Sequence, residues 1–301
     1  PVILHQNELP DAFEKTMNKP TKNKHTDWKP PAWLDKNERK KMFDAYVDSS
    51  DTAYFGFKPH RTGEKVRTVL SHFNRVAPKY DFMNSVLSFG IHHAWKRTAI
   101  RMLDLKPGDQ LLDVCGGTGD LAVMSAPHIG EGGRVFIYDI NRAMMTTGRD
   151  RPENQENRTC IHYIEGDAEQ IACRENRFDA AIVGFGIRNL THLEKGFREM
   201  YRVLKPGGKV MCLEFSKPTN PLFRWLYDFY SFNIMPFAGS VLAGSRQSYA
   251  CLSQTIRMFA SPDELKEILE GIGFETVSYK RLTNGIAVIH LGYKSLTSRS
   301  L

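Results

Sequence analysis

The sequence predicts an α/β domain: a mostly parallel seven-stranded sheet, helices on both faces, and a closing antiparallel hairpin. Three observations carry this. Leu111-Leu112-Asp113-Val114 is a short apolar run that enters a turn rich in glycine, Cys115-Gly116-Gly117-Thr118-Gly119. Four further strand-like runs then alternate with segments of helical periodicity. Two last runs flank Thr283-Asn284-Gly285, which reads as a tight turn. Alternating βα units imply parallel strands joined by crossover helices, so the sheet is covered on both sides.

The elements follow in order. Residues 1–52 read as a separate extension, extended or disordered, with Pro10, Pro20, Pro30 and Pro31 and few aliphatics. Trp28 and Trp33 could wrap it onto the domain, and Pro31 to Val47 hints at a helix. A domain over 53–295 follows, with a tail at 296–301. Val69, Leu70, Phe73, Val76 and Tyr80 give a helical pattern broken near Pro78, and Trp95, Ile100 and Leu103 give another. These helices, within 53–105, precede the first strand and are expected to lid a ligand site. After the glycine turn come strands at 134–138, 160–165, 178–183 and 209–215. Asn141 is expected to cap one helix, Thr191-x-x-Glu194 to form a capping box for the next, and Lys205-Pro206-Gly207-Gly208 to end it. The 219–258 stretch carries Phe223, Trp225, Tyr227, Phe229, Tyr230, Phe232 and Phe237, and reads as a substrate-side insertion. Ser261-Pro262-Asp263-Glu264 opens the last helix with Ser as cap and Pro in the first turn.

The totals narrow the function. Net charge is +7, and Lys58 to Lys106 holds ten Lys or Arg against three Asp or Glu. That excess suits anionic lipid headgroups or another polyanion, and equally a solvated basic face. No run of eighteen apolar residues occurs, so no span is expected. The five cysteines show no C-x-x-C spacing and the ten histidines no H-E-x-x-H, so no metal site is expected. No nucleic-acid reading module is visible.

Gly117-Thr118-Gly119-Asp120-Leu121-Ala122 fits a dinucleotide turn, yet Asp113 at the strand end favours a ligand with positive charge over a pyrophosphate. S-adenosylmethionine, with its ammonium and sulfonium, meets that requirement. Asp139, twenty residues past Gly119, can accept from both hydroxyls of an adenosine ribose. Asp167-Ala168 ends the third strand beside the place for an adenine, and Gly184 ends the fourth. These strand ends share the carboxyl rim, where open α/β sheets bind ligands.

Further motifs lie in order along the chain: Lys79-Tyr80-Asp81-Phe82-Met83-Asn84, Ser88-Phe89-Gly90-Ile91-His92, Phe185-Gly186-Ile187-Arg188-Asn189 and Leu213-Glu214-Phe215-Ser216-Lys217-Pro218. With the glycine turn and Asp139-Ile140-Asn141, they resemble the ubiquinone/menaquinone biosynthesis C-methyltransferase family over about residues 54–294. The resemblance implies a Rossmann-like class I methyltransferase fold. It also implies S-adenosylmethionine contacts at Asp113, Gly116, Gly117, Thr118, Gly119, Asp139, Ile140, Asp167, Ala168 and Gly184. Relatives in that family often carry serine at the place of Gly184, asparagine at Asp167 and serine at Thr255. The implied reaction is C-methylation of a polyprenylated benzoquinol, or alternatively of demethylmenaquinol. Arg188 is expected to stabilise a phenolate, or to polarise a water that takes the proton, with Tyr80 and Asn189 orienting the ring; His290 is a candidate proton acceptor. Expected partners are the quinol, a membrane surface, a quinone-biosynthesis complex and a second copy in a homodimer. The long extension and missing Met point to the matrix side of the mitochondrial inner membrane, with bacterial cytoplasm as the alternative. Rival readings are a dinucleotide-dependent oxidoreductase and a non-catalytic quinone-binding scaffold.

Overall fold

The computed structural model describes residues 33–37, 52–55, 58–244 and 246–296. Most of the 1–52 extension, including Trp28 and nearly all of the Pro31–Val47 segment, lies outside them. The first described pair is an antiparallel ribbon, β1 (Thr52–Phe55) and β2 (Lys58–Arg61), which the residue pattern did not predict. Helix α1 (Thr62–Val76) stops where Pro78 enters a short 3-10 turn, and α2 (Tyr80–Leu87) restarts after it. Gly90 takes a left-handed φ of 72° and turns the chain into α3 (Ile91–Leu103).

The main sheet begins with β3 (Gln110–Val114), followed by α4 (Asp120–Ile129) and β4 (Arg134–Asp139). Helices α5 (Arg142–Arg149) and α6 (Pro152–Glu156) lead to β5 (Ile161–Glu165), and a loop leads to β6 (Phe178–Gly184). Helix α7 (Leu193–Val203) runs into β7 (Leu204–Phe215). Helices α8 (Pro221–Phe229), α9 (Met235–Ala243), α10 (Arg246–Met258) and α11 (Pro262–Ile272) precede β8 (Phe274–Leu282) and β9 (Ala287–Lys294). The strand order is β5-β4-β3-β6-β7-β9-β8, parallel through β7, with β9 antiparallel to both its neighbours.

Side chains alternate between two cores, as the two-residue strand period requires. Leu111, Ile137, Ile182, Leu213 and Ile289 pack with α3 and α4 around Trp95, Ala99 and Leu103. Leu112, Tyr138, Val183 and Cys212 pack on the other face with Phe197, Met200, Leu265 and Leu269 of α7 and α11. Asp113 shares the parity of Leu111 and therefore faces the α3 side.

Two local expectations are corrected. Thr191 and Glu194 form no capping box: the N–H groups of Thr191 and His192 donate instead to Glu169 Oε1 at 2.6 and 2.8 Å. A carboxylate from the loop between β5 and β6 accepts more strongly than a threonine hydroxyl. Lys205-Pro206-Gly207-Gly208 does not separate helix from strand, because β7 already starts at Leu204. Its pairing with β6 jumps from Phe178–Leu204 to Ala180–Lys209, so the glycines are taken up in a bulge. Asn141 does cap α5, accepting from Met144 N–H at 2.9 Å, and Ser261 and Glu264 make their reciprocal box. Among the described residues no helix is long and apolar enough to cross a membrane.

The aromatic stretch folds as α8, a π turn over Tyr230–Ile234, and α9. Beneath it lies a buried ion pair between Arg257 and Asp228. Trp33 Nε1 donates to Asp228 Oδ1 at 3.1 Å, and the Arg257 guanidinium sits 4.7 Å from the Trp33 ring.

Candidate functional site

A cavity of about 530 Å³ opens over the carboxyl rim of β3, β4 and β6. Its wall includes Asp113, Gly116, Gly117, Thr118, Asp139, Ile140, Asp167, Ala168, Gly184, Arg188, Asn189 and Tyr80. Of the predicted site residues, Gly119 is not in the wall. Its φ of 85° opens α4, and a Cβ there would lie 2.7 Å from Ile137 Cδ1 and 3.0 Å from Asn154 Nδ2. Gly119 is needed for close packing beneath the turn. His290 is also elsewhere: it is buried in β9, with Nε2 2.9 Å from Pro262 O, away from the cavity wall. It is a core histidine, and burial lowers its pKa to about 4.

The turn is built tightly. A Cβ on Gly116 would meet the Asp113 side chain at 2.9 Å. Cys115 and Phe185, each following the last residue of its strand, hold left-handed φ angles of 53° and 57°. Non-glycine residues rarely take this conformation, and such strain gathers at functional sites.

Asp113 is the unusual group. It is fully enclosed, and neither carboxylate oxygen has a hydrogen-bond partner. Burial pushes its pKa up to about 8; the Lys96 charge opposes the rise and the nearby Asp139 adds to it. An orphaned buried acid is costly unless something else completes it. A ligand ammonium would do so, which is the fit an aminoacyl sulfonium donor offers. Asp139 accepts the N–H groups of Gly117 and Asn141 at 2.8 and 2.7 Å, one on each oxygen. A carboxylate has about four lone-pair sites, so capacity remains for two hydroxyls. Asp167 lies exposed at the end of β5, accepting Glu169 N–H, with Ala168 buried behind it. Leu121 Cδ1 lies 2.5 Å from where a Cβ on Gly184 would be, so a leucine methyl fills the space a side chain there would take.

Arg188 stands in a 3-10 turn just past β6. Its Nη1 donates to Glu214 Oε1 at 2.7 Å and to the carbonyl of Phe185. Both side chains are buried, and the guanidinium carbon lies 5.5 Å from the centre of the Phe215 ring. Sequence reading placed Arg188 but missed its partner 26 residues away.

The N-terminal helices close over the rim through polar bridges that the sequence reading also missed. Thr118 Oγ1 donates to Asp81 Oδ1 at 2.9 Å, and Asp81 pairs with Arg151. Arg151 and Lys96 both hold Asp120, at 2.7 and 2.6 Å. Asn141 Nδ2 donates to Asn74 Oδ1 of α1 at 2.9 Å. His92 also lines the cavity, with Nδ1 2.7 Å from Ser88 Oγ and Nε2 buried without a partner. Trp95, Phe185, Phe215, Tyr227 and Tyr230 add aromatic rings to a wall otherwise rich in aliphatic side chains such as Val69, Leu70 and Leu252.

A parallel sheet closed by an antiparallel strand, with an acid at the end of β3 and another at the end of β4, defines a class I S-adenosylmethionine-dependent methyltransferase. The profile of the ubiE/COQ5 methyltransferase family matches residues 61–294. The chain belongs to the ubiE/COQ5 methyltransferase family. It is 44% identical over 246 residues to a ubiquinone/menaquinone biosynthesis C-methyltransferase of Haemophilus ducreyi, covering 82% of this chain and 95% of that protein. It is 43% identical over 253 residues to a protein of the same name from Hydrogenovibrio crunogenus, covering 84% of this chain and all of that one. Among solved structures it is similar to the [4+2]-cyclase SpnF, with TM-score 0.55, 16% identity, and 76% and 96% of the two chains covered. It is also similar to a SAM-dependent methyltransferase from Thermotoga maritima, with TM-score 0.52, 18% identity, and 75% and 99% covered. At those identities the likeness speaks for the fold alone, and a fold shared with a cyclase leaves the chemistry to the site.

Proposed function

We propose that the chain methylates a ring carbon of a polyprenylated benzoquinol; the alternative is C-methylation of demethylmenaquinol, and relatives named for ubiquinone/menaquinone biosynthesis support either. The observation that carries this reading is the mixed wall of one cavity. The acids and bare backbone of the strand ends share it with apolar and aromatic side chains and with Arg188. In this reading Asp113 meets the donor's ammonium, Asp139 the ribose hydroxyls, and Asp167 and Ala168 the adenine. Thr118, Gly116, Gly117, Ile140 and Gly184 supply close walls, and Gly119 acts only through the shape of the turn. Bound S-adenosylmethionine supplies an electrophilic methyl group. The protein's part is to hold the quinol ring, exclude water and favour loss of a phenolic proton. A guanidinium remains charged, so Arg188 stabilises the phenolate that makes the adjacent carbon nucleophilic. Tyr80 and Asn189 orient the ring.

The isoprenoid tail leaves over an exposed apolar surface. Phe82, Phe89, Trp225, Phe237 and Val241 are all exposed on α2, α8, α9 and the loop after α2. Phe89 stands 6.0 Å from the Tyr230 ring, and Lys79 Nζ donates to Leu242 O at 2.8 Å, which ties the two parts together. Large apolar patches of this kind mark interaction surfaces. We assign it to the membrane that carries the quinol, on the mitochondrial matrix side or in a bacterial cell. The 53–105 helices then act as a lid and 219–258 as the substrate-side insertion.

The deciding experiment incubates the protein with S-adenosylmethionine and a reduced short-tail 2-methoxy-6-prenyl-1,4-benzoquinol, with demethylmenaquinol alongside. Mass spectrometry should show one added methyl on a ring carbon of either. Methyl transfer to neither would end the reading. Flotation with anionic liposomes tests the surface assignment: protein that stays at the bottom of the gradient counts against it.

A further inference from the structure

We propose that Glu214 is a positioning residue that takes up a proton when Arg188 leaves it for an anionic ring oxygen. The proposal rests on the reading of Arg188 given above and adds where the balancing proton resides. Arg188 and Glu214 form a buried pair 2.7 Å apart, and each leaves one polar atom unpartnered, Arg188 Nε and Glu214 Oε2. Glu214 Oε1 is held by Arg188 Nη1 and by the Phe215 N–H at 2.9 Å. Arg188 lines the cavity and Glu214 does not, so Glu214 stands one hydrogen bond behind the wall.

Charge conservation drives the exchange. With the pair intact, its net charge is zero. In the complex with S-adenosylhomocysteine, which has no sulfonium, a phenolate beside the pair adds an uncompensated negative charge to a buried site, which is costly. If the phenolic O–H bond breaks and one proton arrives on Glu214, the guanidinium pairs with the phenolate, and Arg188, Glu214 and the ring together remain neutral. After the ring carbon has gained its methyl group and passed its own proton to the ring oxygen, the proton on Glu214 goes to water. Arg188 then returns to the carboxylate.

The neighbouring titratable groups leave Glu214 as the acceptor. Cys115 at the end of β3 and Cys212 on β7 are thiols that burial pushes well up. Cys251 of α10 is pushed up to about 11 and Tyr227 of α8 to about 12, both chiefly by burial. His72 of α1 is lowered to about 4 by burial and then by the Arg188 charge. All of these are neutral near pH 7. Burial raises the Glu214 carboxyl as well, which readies it for a proton once Arg188 withdraws.

The test uses enzyme loaded with S-adenosylhomocysteine and 2-geranyl-4-nitrophenol, at a pH where the free probe is a phenolate. Calorimetry in two buffers of different ionisation enthalpy reads the protons exchanged. The wild type should take up about one proton per probe bound. Glu214→Gln, a neutral mimic of the protonated state, should take up none and bind the phenolate at least about tenfold more tightly. Its turnover should fall by about a hundredfold, within the usual range for a lost proton acceptor. Wild-type binding without proton uptake would overturn the proposal, and that measurement needs no variant. Glu214→Gln that loses probe affinity and turnover together would reduce Glu214 to a brace for Arg188. If Arg188→Met binds the phenolate as well as the wild type does, the Arg188 reading fails instead, whatever Glu214 does.

Discussion

Replacing Asp113 by Asn should stabilise the ligand-free protein and weaken its hold on the methyl donor. The carboxyl is enclosed, has no partner, and is pushed up to about 8. Its unfolded value is the ordinary 3.8. Between those limits the folded state binds more protons than the unfolded one, so stability falls as pH rises, by about 1.4 kcal/mol per unit. At pH 7 this amounts to on the order of 4 kcal/mol. Asn carries no proton to hold, so its advantage over Asp should grow steadily from pH 4 towards pH 8. A ligand ammonium reverses the balance, because a hydrogen bond to a charged group contributes about 1.5–3 kcal/mol. Asp113→Asn should therefore bind S-adenosylhomocysteine about ten- to a hundredfold more weakly. Thermal melts across a pH series and calorimetric titration measure the two halves. A variant that melts lower than the wild type at pH 8, or keeps its ligand affinity, would refute the reasoning.

Three other outcomes are expected. Arg188→Met should lower kcat by about a hundred- to a thousandfold, as loss of one oxyanion donor does, while S-adenosylhomocysteine binds within about threefold of wild type. It should also melt lower, since Glu214 is left buried and unpaired. Asp139→Ala should weaken S-adenosylhomocysteine binding and also lower the melt, because it leaves the N–H groups of the buried Gly117 and Asn141 without their acceptor; unchanged affinity by calorimetry would remove it from the site. Asp81→Ala should raise hydrogen exchange over 80–87 without altering exchange in β3, because it cuts the bridges to Thr118 and Arg151.

The rim was legible because it is local. A strand, a glycine turn and a helix are written in ten consecutive residues, and Asp113, Thr118, Asp139, Asp167 and Ala168 each occupy a strand end or the turn that follows. Such grammar depends on backbone chemistry within one turn of chain. What was missed depends on residues far apart in sequence. Glu214 meets Arg188 only because β7 lies beside β6, a pairing that periodicity does not encode. Asp81, Arg151, Asp120 and Lys96 come from four helices or loops and converge only after packing. Thr191 and Glu194 carried the right spacing for a cap, yet a better acceptor arrived from Glu169. Gly119 matched a ligand-turn motif while serving Ile137 and Asn154 beneath it.

Trp33 stands 28 residues ahead of the family match, which begins at residue 61, yet its indole closes the Arg257–Asp228 pair from outside. The helix that gives Leu226 and Tyr227 to the cavity wall is thus braced by a residue outside the family match. Trimming the protein to residues 61–294 would leave Asp228 short of a donor under α8. On the reading proposed above, the shortened protein would bind S-adenosylhomocysteine normally and methylate the quinol poorly.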